Sequence, residues 1–146
     1  MILWRISRHR DLSGIGGWRS PGRWHHAGQP VVYLAESPAG ALLEVCVHTS
    51  ANDVPPDLAV LKIEAPEVQV VVIRPEELPP GWQSQLEVTR DLGTAWLQKR
   101  GIPLLRVPSA IVPETANLLL NPTHPDAKKF KITEAFAYPF DVRLKT

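Results

Sequence analysis

Fifteen prolines spread along 146 residues set the first limit on what this chain can become. Proline inside a helix or a central strand removes a backbone donor and breaks the element. A chain interrupted so often folds as many short elements joined by ordered turns. Nothing else divides it: no internal repeat, charge block or flexible linker separates one part from another. Residues 1–146 therefore read as a single domain, long enough to bury roughly two thirds of its unfolded surface around one core.

Composition excludes the extremes. Hydrophobic residues make up 44% and charged residues 21%, which is the balance of a folded globular domain and not of a disordered chain. Sixteen basic residues against fifteen acidic ones give no global case for nucleic-acid binding. The charge is uneven, however: residues 1–30 hold five arginines against Asp11, a net +4 that leaves −3 for the remainder of a chain whose total is +1. A basic N-terminal segment invites an anionic ligand. Cys46 is the single cysteine, so no intrachain disulfide can form and a cytosolic location is expected. MILWRIS is too short and too soon charged for a signal peptide, and no apolar run approaches the roughly 20 residues of a membrane span.

The periodicities predict a mixed domain with more strand than helix. ILWRI reads as a first strand, followed by an irregular, glycine-rich segment from Ser13 to Gly28 whose length and two tryptophans suggest an ordered binding loop. PVVYLA is a strand by its β-branched and aromatic content. Ser37 and Pro38 then form an N-cap and first-turn pair, starting a helix over about Ala39 to His48. LAVLKIEA and VQVVVI are strands, the second so continuously apolar that a central position is expected. PEELPPGW is a turn. Gln83 to Arg100 has Leu86, Leu92, Trp96 and Leu97 at helical spacings, with Gly101 as the stop. IPLLRVPS is a strand, and the segment from Ala116 onward predicts a strand, a turn with helical onset and a final strand pair.

Several chemistries can be weighed on residue types alone. Five histidines and a cysteine raise the question of a metal, but His25 and His26 are adjacent, Cys46 and His48 diverge on their helix, and no zinc-protease spacing occurs; no metal is expected. Cys46 between Val45 and Val47 reads as buried and inert. Gly14, Gly16 and Gly17 lack the residues of a phosphate-binding loop. Glu44 stands apart, because it is the only acid in the apolar helix PAGALLEVCVH. An ionised carboxylate in apolar surroundings needs a cation or several donors to compensate it, unless it points to solvent. Arg23 is a candidate for that cation. Arg23, Tyr33 and Glu44 lie within one loop–strand–helix unit, and together suit a nucleotide with a cationic leaving group. Arginine clamps a pyrophosphate, tyrosine stacks on a flat ring, and a carboxylate bonds ribose and stabilises an oxocarbenium centre. Cleavage of NAD at the nicotinamide bond fits, since nicotinamide leaves as a neutral base and needs no strong general acid.

At these residues the chain resembles the RES family, named for its arginine, glutamate and serine, the toxin half of the RES–Xre toxin–antitoxin systems. The resemblance runs from WRIS through GGWRSPGRWHHAGQPVVYLAESPAGALLEVCVH and DLGTAWLQKRGIPLLRVPSAIVPETANLLLNPTHPDA to PFDVRL. The family's arginine corresponds to Arg23, its tyrosine to Tyr33, its glutamate to Glu44 and its serine to Ser109. What the resemblance implies is an α+β fold related to the ADP-ribosyltransferases, with β-sheets forming an NAD-binding cleft flanked by short helices. It further implies a toxin that degrades NAD as its substrate, by hydrolysis or by phosphorolysis with inorganic phosphate as co-substrate, and that has no prosthetic group. In that reading Arg23 engages phosphate or ribose, Tyr33 packs on nicotinamide, Glu44 stabilises the ribosyl cation, and Ser109 orients the substrate. Arg5 is divided between a pyrophosphate contact and a strand-edge charge. The partners implied are an Xre-like helix-turn-helix antitoxin, through which alone DNA is contacted, and a second copy in a homodimer. Two positions depart from the family: Trp4 stands where tyrosine is common, and the usual GDxWL reads GTAWL, with Thr94 replacing the acid. Asn117, Asn121 and His124 read as scaffold. The alternatives are protein ADP-ribosylation, in which a side chain captures the same cation, and a non-enzymatic module that docks through its basic loop.

Overall fold

The computed structural model describes residues 1–49 and 53–145, and among these one mixed sheet of seven strands organises the chain. The strands are β1 (Ile2–Ser7), β2 (Val32–Ala35), β3 (Ala59–Glu64), β4 (Val70–Val72), β5 (Leu104–Pro108), β6 (Ala116–Leu120) and β7 (Lys131–Ala137). The helices are α1 (Ile15–Arg19), α2 (Pro38–His48) and α3 (Leu86–Lys99), with short 3-10 turns between strands. Across the sheet the order is β4-β5-β6-β2-β1-β3-β7. All neighbours are antiparallel except β4 and β5.

Alternation along the strands divides the core between the two faces, as a period of two requires. Val32, Leu34, Leu104, Leu118 and Leu120 join Leu3, Leu61, Ile63 and Phe130 in one cluster. Leu105, Val107 and Leu119 instead meet Trp24, Trp82, Trp96 and Leu97 in the other, with Tyr33 packed against them. Helix α2 lies across β1 and β2. It starts where expected: the Ser37 hydroxyl accepts a hydrogen bond from the Gly40 amide at 3.0 Å, and Pro38 occupies the first turn.

One junction in the sheet is thin. β1 pairs with β3 over six residues, from Ile2 opposite Glu64 to Ser7 opposite Ala59. β1 and β2 share a single pair, Trp4 opposite Ala35. The sheet thus consists of two half-ladders, β4-β5-β6-β2 and β1-β3-β7, which part beyond Trp4. Arg5 stands at the parting and donates from Nη1 to the Tyr33 carbonyl at 3.3 Å.

Five expectations need correcting. VQVVVI holds the short edge strand β4, not a central one. Its run is apolar because Val70 packs on one core cluster and Val71 and Ile73 on the other, so both faces are covered although one edge is open. The Ser13 to Gly28 segment contains the five-residue helix α1. The buried face of α3 is Thr89, Gly93, Trp96 and Leu97, whereas Leu86 and Leu92 are exposed. Arg100, at φ 53°, takes the left-handed position ahead of Gly101. The C-terminal segment forms one strand, β7, and then a 3-10 turn over Val142–Lys145 in place of a second strand.

Candidate active site

Where the half-ladders part, a cleft of about 550 Å³ opens between the sheet and α2. Arg5 from β1, Arg23 from the loop before β2, Tyr33 from β2, and Glu44 and His48 from α2 all line it, with Asn117 of β6. Four of the five residues singled out from sequence therefore meet on one surface. The fifth, Ser109, is 1% exposed and lies behind Glu44, off the cleft wall.

Glu44 is held by neutral donors. Its Oε1 accepts from Asn117 Nδ2 at 2.8 Å and from Ser109 Oγ at 3.1 Å, while Oε2 faces His48 Nε2 at 3.5 Å. Burial pushes the carboxyl up, but His48, Asn117 and Ser109 together outweigh it and hold it below the ordinary value. The group is a carboxylate at neutral pH. Ser109 has little capacity left for another partner, since its oxygen also accepts from the amides of Ile111 and Val112 at 3.2 and 3.3 Å. Arg23 is not the compensator of Glu44: its Nη1 donates to the Gln83 carbonyl at 2.5 Å. Asn117, read from sequence as scaffold, belongs to the site. The signal was there in the alternation of ANLLL, which puts position 117 on the same strand face as Leu119.

Tyr33 is more constrained than a simple stacking platform. Its hydroxyl lies 2.7 Å from His25 Nδ1 and accepts from the Trp24 amide at 3.0 Å. His25 Nε2 is 2.7 Å from the Gly17 carbonyl, so the ring carries its proton on Nε2 and accepts at Nδ1 from Tyr33. Burial pushes the His25 imidazole down and the Tyr33 phenol up, which keeps both neutral.

Helix α3 grips the loop that carries Arg23. Thr89 Oγ1 donates to the Arg23 carbonyl at 2.6 Å, and Arg90 Nε donates to the Gly22 carbonyl at 2.8 Å. Thr94 Oγ1 accepts from the His26 amide at 2.9 Å, a task that an acid at this position would equally perform. A Cβ at Gly93 would overlap the Trp24 carbonyl oxygen outright. These grips had no legible signal, because a backbone carbonyl accepts from any donor that reaches it.

Arg5 is half-buried with loose partners, the Tyr33 carbonyl at 3.3 Å and Ser7 Oγ at 3.4 Å, and its buried Nε has no hydrogen-bond partner. Desolvation pushes its guanidinium down from the ordinary value, with Asp11 opposing. A guanidinium short of acceptors has donor capacity to spare for an anion.

The remaining candidates are structural. Asn121 Nδ2 donates to the Leu97 carbonyl at 3.1 Å, and His124 Nδ1 accepts from the Asp126 amide at 3.0 Å. Cys46 is half-buried, where full burial was expected. His26, Glu87 and Asp91 bring three possible metal-binding atoms within 4.8 Å of one another, on α3 and its neighbouring loop. They lie outside the cleft, and His26 Nε2 already meets Asp91 Oδ1 at 2.7 Å.

Comparison with known proteins places this architecture. The family model for the RES domain matches residues 2–141. A protein named Toxin Res from Pseudomonas putida is 52% identical over 134 residues, covering 90% of this chain and 92% of that protein. A Prs ADP-ribosylating toxin from a Sphingobium species is 38% identical over 153 residues, covering 97% of this chain and 95% of its own length. A chain in the crystal structure of the M. tuberculosis MbcT-MbcA toxin-antitoxin complex superposes with a TM-score of 0.77 at 19% identity, covering 94% of this chain and 83% of that one. The expected α+β fold, related to that of ADP-ribosylating proteins, is the fold observed. The chain belongs to the RES domain family.

Proposed function

We propose that the protein is the toxin of a toxin–antitoxin pair and that it consumes NAD by breaking the bond between nicotinamide and ribose. The observation that carries this reading is Glu44, an ionised carboxylate held by neutral donors in a cleft that also presents two guanidinium groups. The carboxylate suits a developing ribosyl cation, and Arg5 and Arg23 suit the pyrophosphate. Tyr33 lines the same wall for the nicotinamide ring, and Ser109 and Asn117 hold Glu44 in place. Water or inorganic phosphate then captures the ribosyl carbon. A cleft of about 550 Å³ lies within the range of small-molecule sites, roughly 300–1,000 Å³.

A second reading, transfer of ADP-ribose to a protein, is favoured by the name of the Sphingobium relative. An antitoxin partner is supported by the solved complex of the structural neighbour. We take that partner to be an Xre-like helix-turn-helix protein that carries the DNA contacts, and the toxin to act in the cytoplasm as a homodimer. Among the described residues no helix is long and apolar enough to cross a membrane.

Glu44→Gln tests the main reading. The variant should remain folded and lose both toxicity and NAD turnover by about 10²-fold or more. With labelled NAD, free ADP-ribose marks hydrolysis, its phosphorylated product marks phosphorolysis, and label on lysate protein marks transfer. Unchanged NAD in cells expressing the wild-type chain would refute hydrolysis and phosphorolysis, and with no label on protein either, a docking module would be left.

A further inference from the structure

Glu44 divides its oxygens between unlike surroundings. Oε1 is pinned by Asn117 and Ser109 at 2.8 and 3.1 Å, whereas Oε2 looks along the cleft toward His48 Nε2 at 3.5 Å. His48 sits one turn beyond Glu44 on the same face of α2 and is the last residue of that helix. Its side chain is 62% exposed against 29% for Glu44, so the imidazole stands where the cleft meets solvent. At 3.5 Å the two groups are past a good direct hydrogen bond, and a third small atom can touch both.

Resting on the NAD-cleaving reading above, we propose that His48 is the base that activates the acceptor. The bond between C1′ and the pyridinium nitrogen breaks, its electron pair leaves with neutral nicotinamide, and the ribosyl cation lies against Glu44. A water oxygen then bonds to C1′ while one of its protons passes to His48 Nε2, and the exposed imidazolium returns that proton to solvent. Glu44 is poorly suited to the proton transfer, since Asn117 and Ser109 donate to its Oε1 and favour the carboxylate. A neutral imidazole offers an unprotonated ring nitrogen as acceptor. The other charged groups facing the cleft, Arg5 and Arg23, have no proton-accepting role.

A purely structural His48, one that caps the negative end of α2 and pairs with Glu44, makes a different prediction. The experiment uses the purified full-length chain in phosphate-free buffer with NAD and labelled nicotinamide. Exchange of label into NAD reports cleavage and return, while ADP-ribose reports capture by water. His48→Gln should lower ADP-ribose formation by about 10²-fold and raise the ratio of exchange to hydrolysis by a similar factor. In His48→Ala, added imidazole should restore hydrolysis, which also guards against a variant that merely misfolds. Glu44→Gln should lose exchange and hydrolysis together. An unchanged exchange-to-hydrolysis ratio in His48→Gln overturns the role of His48 alone. A wild-type chain that neither exchanges nor hydrolyses, and that still leaves NAD intact when inorganic phosphate is added, overturns the NAD reading and this inference with it.

Discussion

Gly93→Ala should destabilise this protein, although the substitution ordinarily strengthens a helix by about 1 kcal/mol. Gly93 lies inside α3, against the backbone of Trp24. The added methyl would coincide with the Trp24 carbonyl oxygen and stand 2.8 Å from its carbon, closer than the 3.0 Å that real Cβ contacts respect. Neither backbone can yield cheaply. Overpacking of this kind costs about 1–3 kcal/mol. Moving the loop away from α3 also stretches the bonds from Thr89 to Arg23, from Arg90 to Gly22 and from His26 to Thr94, at 2.6, 2.8 and 2.9 Å. Losing two of them adds about 2 kcal/mol. After subtracting the helix gain, the net is about 3 kcal/mol, or roughly 10 °C in melting temperature for a domain of this size. Thermal melting and urea titration measure it directly. NAD turnover, assayed well below the melting point, should fall further than the unfolded fraction explains, because the same loop carries Arg23. A melting temperature equal to or above that of the wild type would refute the claim that the α3 contact sets the position of the Arg23 loop.

Two further outcomes follow from the site. Asn117→Asp keeps the shape but puts a second carboxylate beside Glu44 Oε1, now 2.8 Å from the Asn117 amide; the pair should share a proton, and turnover near pH 7 should fall at least tenfold with its acid limb moved to higher pH. Unchanged pH dependence would argue against Glu44 acting as an anion. His25 should make stability pH-dependent: burial lowers its folded-state value below the ordinary 6.5, so the unfolded chain takes up a proton that the folded chain refuses. Its contribution is complete above about pH 6.5 and is lost as pH falls from there toward the folded value, with a slope of at most about 1.4 kcal/mol per pH unit. Melting curves of wild type and His25→Gln between pH 5 and 8 should converge on the acid side, and parallel curves would show that folding leaves the protonation of His25 unchanged.

Much of this was legible in the chain. Ser37-Pro38 fixed the start of α2, and the run from Gly22 to His48 delivers Arg23, Tyr33 and Glu44 to one cleft as its order suggested. What escaped notice depended on distant contacts. Asn117 reads from sequence as scaffold, yet the strand pairing of β6 with β2 brings it to Glu44 of α2. Loop, strand and helix in series point Glu44 to Arg23 as its partner, while the donors to its Oε1 come from 65 and 73 residues further along. The buried face of α3 was misread because Thr89 and Gly93 are not apolar; they face inward to meet a loop backbone, which selects for a hydroxyl and for the absence of a side chain.

The single pair that joins β1 to β2 gives Arg5 two allegiances. Its guanidinium bridges the half-ladders by way of the Tyr33 carbonyl, and the same side chain lines the cleft. Any anion that draws Arg5 toward itself competes with the carbonyl for the same hydrogens. On the NAD-cleaving reading, substrate capture and the cohesion of the sheet are linked through one side chain, and the seam is the place where occupancy of the cleft is felt by the fold as a whole.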